Sequence, residues 1–254
     1  MTNNAGAPSL AVLIDADNTS ARYAEAIFEE IVKLGEANVR RIYGDFSGAR
    51  LKSWNGAIQS LAILQHQQRS NTTGKNASDI ALVIDAMDLM HKGTLDGFCL
   101  VSSDSDFTRL AQRLREEGMV VYGFGEQKAV KAFRNACNRF IYVENLVEPS
   151  VDKGAAGDAS ADSATKKQPP SRAVKIIAKA IEDSDDDGWT NLSGVGSRIL
   201  GAKPDFDARS YGCPNLSTLV ERSGGFEIRK DQGTVYIRRK AAKREAAPAD
   251  QARA

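Results

Sequence analysis

What this chain has little of narrows the field first. No apolar run approaches the ~18 residues that a membrane-spanning helix requires, so no bilayer segment is expected. The opening MTNNAGAPSL has neither a basic stretch nor a long apolar core, so no secretory leader is expected. Cysteine is scarce: Cys99, Cys137 and Cys213 are scattered, with no CxxC spacing. That excludes a disulfide framework or a thiolate zinc site, and it fits a reducing, cytoplasmic setting. The two histidines, His66 and His91, lie away from the acidic motifs below, so the chemistry must be sought elsewhere. A charge excess is missing too. With 34 Lys+Arg against 33 Asp+Glu, no global field steers the chain toward nucleic acid or membrane. The charge is nevertheless uneven: residues 1–150 carry 16 Lys/Arg against 18 Asp/Glu, and residues 171–254 carry 15 against 12.

What is present is a regular alternation. A length of 254 residues suits one or two domains. LAVLI (Leu10 to Ile14) is continuously apolar, the pattern of a strand buried on both faces. A helix follows, capped at Thr19 or Ser20 and carrying Tyr23, Ile27, Ile31 and Leu34 inward to a stop at Gly35. Strands are expected at Val39–Gly44, Leu64–Gln67, Phe98–Val101, Met119–Phe124 and Phe140–Val143. Helices are expected at Leu51–Ile63, Ala77–His91, Phe107–Glu117 and Ala129–Ala136, the second with Ile80, Val83, Ile84 and Met87 facing the core. Alternating β and α elements predict an α/β fold with a mostly parallel sheet covered by helices on both faces.

The chemistry-bearing stretch is FCLVSSDSDF, Phe98 to Phe107. An apolar strand ends in Ser102-Ser103, and Asp104 and Asp106 appear where an amphipathic helix begins. A single Asp there is often only a helix cap. Two acids at a strand end fit that role less well, because like charges repel unless a cation lies between them. Asp15, followed by Asp17 and Asn18, ends the first strand, and Asp79 opens a helix in mid-chain. The carboxyl edge of a parallel sheet is where ligands bind. Three or four acids meeting there suit one or two hard divalent ions, which activate water against a phosphodiester.

LIDADN, GKNASDIALVIDAMDL and SSDSDF, in this order, resemble the NYN domain, a branch of the PIN-like metal-dependent ribonucleases, over about residues 9 to 145. The resemblance implies an α/β/α sandwich and Mg²⁺- or Mn²⁺-dependent RNA cleavage. It implies metal-site acids at Asp15, Asp79, Asp104 and Asp106, with Asn18 beside Asp15 in the catalytic set. Lys75 matches the family's lysine upstream of the mid-chain acid and is a candidate phosphate contact, and Arg109, on the helix after Asp106, is a further candidate RNA contact. Asp85 also matches the family's pattern. It lies roughly 240° around the helix from Asp79, so it is read as structural. A rival reading takes Asp15-Ala-Asp17-Asn-Thr19 as the DxDxT nucleophile motif of haloacid-dehalogenase-like phosphatases, with Asp15 forming an aspartyl-phosphate. The order of the downstream lysines and acids is wrong for that mechanism. A non-catalytic RNA-binding regulator is the other alternative.

Residues 147–170 are Ala/Ser/Asp/Gly/Pro-rich with almost nothing large and apolar, as in a flexible linker. Beyond it, three helical stretches (Ala173–Ile181, Leu192–Leu200, Leu216–Val220) precede a hairpin about Asp231-Gln232-Gly233, which is winged-helix order. PDFDARSYG, the Leu-rich helix and the FEI and YI strands resemble the OST-HTH/LOTUS domain, over about residues 171 to 240. The resemblance implies RNA binding, while protein docking by the same fold type keeps a protein partner open. Candidate RNA contacts are Arg229, Lys230, Arg238 and Arg239 on the hairpin and Arg209 on the PDFDARSYG segment. Tyr211, Phe226 and Tyr236 are read as core. A basic tail, residues 241–254, ends the sequence.

Overall fold

The computed structural model describes residues 6–68, 77–147, 167–181 and 188–240. The N-terminal half is a six-stranded sheet: β1 (Ser9–Asp15), β2 (Glu36–Gly44), β3 (Leu64–Gln67), β4 (Gly97–Val101), β5 (Val120–Gly125) and β6 (Arg139–Tyr142). Their order is β3-β2-β1-β4-β5-β6, and every pairing is parallel. Alternation along β1 explains the layering. Ala11 and Leu13 enter one hydrophobic cluster, while Leu10, Val12 and Ile14 enter the other. Helices α1 (Ala24–Val32) and α2 (Trp54–Ser60) cover the second face through Ile27, Ile31 and Trp54. On the first face lie α3 (Ala77–His91), α4 (Thr108–Glu116) and α5 (Lys131–Ala136), through Leu82, Leu110 and Phe133. The result is an α/β/α sandwich.

The chain grows outward from β1 toward β3, then returns and grows from β4 toward β6. The reversal leaves β1 and β4 side by side, and their carboxyl ends form the topological switch point. The close of β5 is tight here. A Cβ on Gly125 would come within 2.5 Å of the Ser102 carbonyl oxygen, so only glycine fits beside the turn that leaves β4.

One expectation holds only in part on α3. Val83 and Met87 pack against the core as expected, but Ile80 and Ile84 are 60% and 56% exposed, and the fully buried residues are Leu82, Ala86, Leu89 and Met90. This helix is apolar on much of its circumference, so periodicity did not fix its inward face, and packing turned it away from Ile80 and Ile84. Asp79 stands three residues before Leu82 and so lies on the buried stripe, toward the sheet.

The C-terminal half has its own core, centred on Ile177, Val195, Ile199, Leu219 and Ile237. Helices α6 (Val174–Ile181), α7 (Leu192–Ala202) and α8 (Leu216–Ser223) pack against an antiparallel sheet of order β7-β9-β8, with β7 (Thr190–Asn191), β8 (Phe226–Asp231) and β9 (Thr234–Arg239). The hairpin turn Gln232-Gly233 has positive φ at both residues, 43° and 81°, as a two-residue connection between twisted strands requires. The expected linker falls mostly on residues outside the description. Its last residue, Pro170, already begins a 3₁₀ turn, Pro170–Ala173. The expected tail, residues 241–254, also lies outside the described residues.

The two halves meet along the edge of the parallel sheet. Phe140 donates its backbone N–H to the Pro204 carbonyl at 2.9 Å, so the edge strand β6 is covered by a loop of the C-terminal half. Asp205 accepts from Arg134 and from the Tyr142 hydroxyl, and Arg209 grips Glu30 with both terminal nitrogens at 3.1 Å.

Candidate active site

Asp15 closes β1 and is 1% exposed. One of its carboxylate oxygens accepts from the backbone N–H groups of Asp17 (3.0 Å) and Asn18 (3.2 Å). The other accepts from the Asn18 side-chain amide (2.9 Å) and the Ser102 hydroxyl (2.7 Å). Burial pushes its carboxyl above the ordinary range, and the hydrogen bonds from Ser102 and Asn18 act against that. Ser102, itself 1% exposed, joins the two strand ends: it donates to Asp15 and accepts the Asp104 N–H at 3.0 Å. Thr19 fastens the same loop by donating to the Val101 carbonyl at 3.2 Å. Asp15 is therefore a carboxylate fixed by four donors. Its engaged oxygens are poorly placed for nucleophilic attack, which speaks against the aspartyl-phosphate reading, and an ion bound there would share them with these donors.

Asp104 caps the 3₁₀ turn Ser105–Phe107 by accepting the Asp106 N–H at 3.0 Å, so the cap role and the acidic position coincide. Asp79, in the first turn of α3, is raised to about 6. Burial is the largest cause, followed by the negative charges of Asp15, Asp104, Asp17 and Asp106. The four charges reach Asp79 from the ends of β1 and β4, so acids far apart in sequence share one electrostatic neighbourhood. Asp17 is tied down separately, by Arg50 and by the Ser78 hydroxyl at 3.2 Å.

Among the described residues no group of three or more His, Cys, Asp and Glu side chains is arranged to hold a metal ion unaided. The donor chemistry still fits a hard divalent cation. All the donors are carboxylate oxygens in mutual repulsion, and Mg²⁺ takes only one or two carboxylates while water fills its remaining positions.

The remaining candidates fall in different places. Lys75 lies outside the described residues. Arg109 is exposed on α4, where it donates to the Gln112 amide oxygen at 2.7 Å. Asp85 is turned away from the acids: it accepts from Arg41 at 2.7 Å and from the Tyr43 hydroxyl at 2.5 Å, with His66 3.6 Å away. Arg229, Lys230 and Arg239 are exposed on the hairpin, while Arg238 is held by Glu227 at 2.5 Å. Arg209 is engaged with Glu30 and Asp207 at the seam between the halves, not presented on an open surface. Tyr211 and Phe226 are core residues, but Tyr236 belongs to no hydrophobic cluster. Two working residues escaped the sequence reading. Ser102 was visible in SSDSDF but carried no charge to draw notice, and Glu30 looked like any polar position on an amphipathic helix.

A parallel sheet with helices on both faces and carboxylates gathered at its switch point defines a PIN-like α/β protein. The chain belongs to the NYN domain family, whose model matches residues 9–144. The model of the OST-HTH/LOTUS domain matches residues 165–238. NYN domains form part of the PIN-like nuclease superfamily, which generally uses divalent metal ions, and OST-HTH domains are associated with RNA binding. No curated protein matches the chain. Among solved structures, a protein of unknown function from Vibrio parahaemolyticus is 15% identical, with 55% of this chain and 94% of that one covered at a TM-score of 0.47. An uncharacterized protein from Nitrosomonas europaea is 31% identical over 38% of this chain and 98% of that one, at a TM-score of 0.28. MurG from Acinetobacter baumannii is 10% identical over 77% of this chain and 63% of its own, at a TM-score of 0.36. At these TM-scores none of the three bears on function. No helix among the described residues is long and apolar enough to cross a membrane.

Proposed function

We propose that the protein is a ribonuclease that hydrolyses RNA phosphodiesters with the aid of Mg²⁺ or Mn²⁺ held at the rim between β1 and β4. The observation that carries this reading is Asp79, which burial and then the charges of four other carboxylates raise together. Asp15, Asp79, Asp104 and Asp106 are the residues that would hold the ion. Asn18 and Ser102 orient the Asp15 carboxylate. When bound, the ion supplies Lewis-acid activation of a water and neutralises charge on the phosphate. Arg109, exposed on α4, is the candidate cation for the RNA backbone.

In this reading residues 9–146 are the catalytic domain and residues 171–240 bring RNA to it, with residues 147–170 as the tether. Three free, buried cysteines suit a reducing cytoplasm. The test uses labelled single-stranded and structured RNAs, incubated with each ion, with chelator, and with Asp104→Asn. Cleavage is expected only for the parent with metal. Equal cutting by the variant, or cutting that survives chelator, removes this active site. Tight binding without cleavage across a broad RNA panel turns the assignment to a non-catalytic RNA-binding regulator.

A further inference from the structure

The outward face of the small β-sheet is built unlike the rest of the surface. Along β8, Phe226 and Ile228 turn into the C-terminal core while Glu227 and Arg229 turn out; along β9, Ile237 turns in while Tyr236 and Arg238 turn out. Register sets Arg229 opposite Tyr236 and Glu227 opposite Arg238. Trp189 directly precedes Thr190, which is 8% exposed and pairs with Ile237, so the indole belongs to the outer face. The Arg229 guanidinium lies 5.0 Å from the Trp189 ring centre and 5.4 Å from that of Tyr236, and the Arg238 guanidinium lies 4.8 Å from Trp189. Two aromatic rings and two guanidinium planes thus form one patch. Glu227 holds Arg238 in position, while Lys230 and Arg239, opposite Val235 and Phe226, alternate to the other side of the sheet and lie outside the patch.

Cation–π pairing inside a domain needs no ligand, but two features point outward. Neither Trp189 nor Tyr236 is part of the hydrophobic cluster beneath the sheet. The large exposed aliphatic side chains among the described residues all lie in the N-terminal half, so this face presents rings and guanidinium groups instead. Flat π faces and the guanidinium planes of Arg229 and Arg238 complement a nucleobase and its phosphate.

We infer that the outer face of the β7-β9-β8 sheet, centred on Trp189, is a stacking platform for unpaired bases of single-stranded RNA. Tyr236 extends the platform, Arg229 and Arg238 offer planar stacking and base-edge hydrogen bonds, and Glu227 is a positioning residue. The inference rests on the reading that the C-terminal half binds RNA, and it goes further by naming the strandedness and the residue that carries it.

The test uses the full chain in chelator with a labelled, unstructured RNA of about 12 nucleotides, within the span of one such module. Trp189→Ala is expected to weaken binding roughly fivefold to a hundredfold, the range of one stacked base, while Trp189→Phe retains most of the affinity. The Trp189→Ala loss should be similar at about 50 mM and about 200 mM salt, whereas Arg229→Ala should weaken binding and flatten its salt dependence. Trp54, the other tryptophan, is 1% exposed in the N-terminal core, so RNA should quench only the Trp189 part of the emission. Comparing the parent with Trp189→Phe isolates that part, and matched melting curves show that the variants fold. If the parent binds RNA and Trp189→Ala binds equally well without loss of quenching, the platform is wrong and RNA binding stands. If the parent binds neither single-stranded nor structured RNA, both readings fall together.

Discussion

The rim at the switch point and the seam between the two halves are both acidic, yet their carboxylates sit in opposite fields. At the seam, burial alone would raise Glu30, but hydrogen bonds from Lys33 and Arg209 outweigh it and hold the group below the ordinary carboxylate range. At the rim, burial raises Asp79 and every named neighbour adds to the effect, taking it to about 6. The same contrast runs along one helix: Asp85 is only partly buried, and the Tyr43 and Arg41 hydrogen bonds hold it low. Glu30 and Asp85 are held low by their basic and hydroxyl partners. At Asp79 the named neighbours only add repulsion, which marks it as a candidate functional acid.

The sharpest way to break this comparison is Asp79→Asn. It should cut metal-dependent RNA cleavage by roughly a hundredfold or more, the scale on which a single preorganised electrostatic group acts. It should also raise the melting temperature of the metal-free protein by a few degrees, because about 1 kcal/mol shifts a chain of this size by roughly 2–4 °C. Activity and stability measured on the same preparation check both halves. A variant that loses stability along with activity would make Asp79 an ordinary structural acid.

Glu30→Gln attacks the opposite region. It leaves Arg209 and Arg139 without their buried counter-charge, and it should cost about 2 kcal/mol, the scale of a charge-assisted hydrogen bond. Denaturant melts would show a lower midpoint or a separation into two transitions as the halves uncouple. An unchanged melt would mean that the seam contributes nothing.

Acid titration separates the two regions without mutation. Glu30 and Asp85 have folded pKa values below their unfolded ones, so their stabilisation is present above about pH 4.5 and is lost as pH falls through the folded values. Asp79 has the reverse sign. Between 3.8 and about 6 the folded site binds the proton more tightly than the unfolded chain, so the repulsion present above that window is relieved as pH falls through it. Added Mg²⁺ should therefore raise the melting temperature more at about pH 7.5 than at about pH 5. Equal shifts at both values would contradict ion binding by these carboxylates. The smallest effect belongs to Asp85→Asn. It removes one half-exposed ion pair with Arg41 while an amide can still accept from Tyr43, so a loss of about 1 kcal/mol or less, with cleavage intact, is expected.

Much of the fold was legible because local patterns were unambiguous. A continuous apolar LAVLI cannot be a one-sided strand, and Gly233 after Gln232 between alternating strands is a hairpin turn. The α3 stripe was not fully legible, because a helix apolar on much of its circumference gives periodicity no preferred face; only packing against β1 and β2 selected Leu82 and Ala86 over Ile80 and Ile84. At the site, the acids were readable from strand ends, but the hydroxyl bridge of Ser102 was not, since neutral groups act through contacts that the linear order does not display.

By itself the sequence determined the alternation of strands and helices, the acids at the strand ends, and the arginines and aromatics on the wing. Only the tertiary structure decided which of those charges meet. Coulomb interactions depend on separation and on surrounding dielectric, and both are set by chain reversal at the switch point and by the docking of one half on the other. That is why Arg209, a candidate RNA contact in the linear chain, ends as the partner of Glu30, while Asp79 ends among acids.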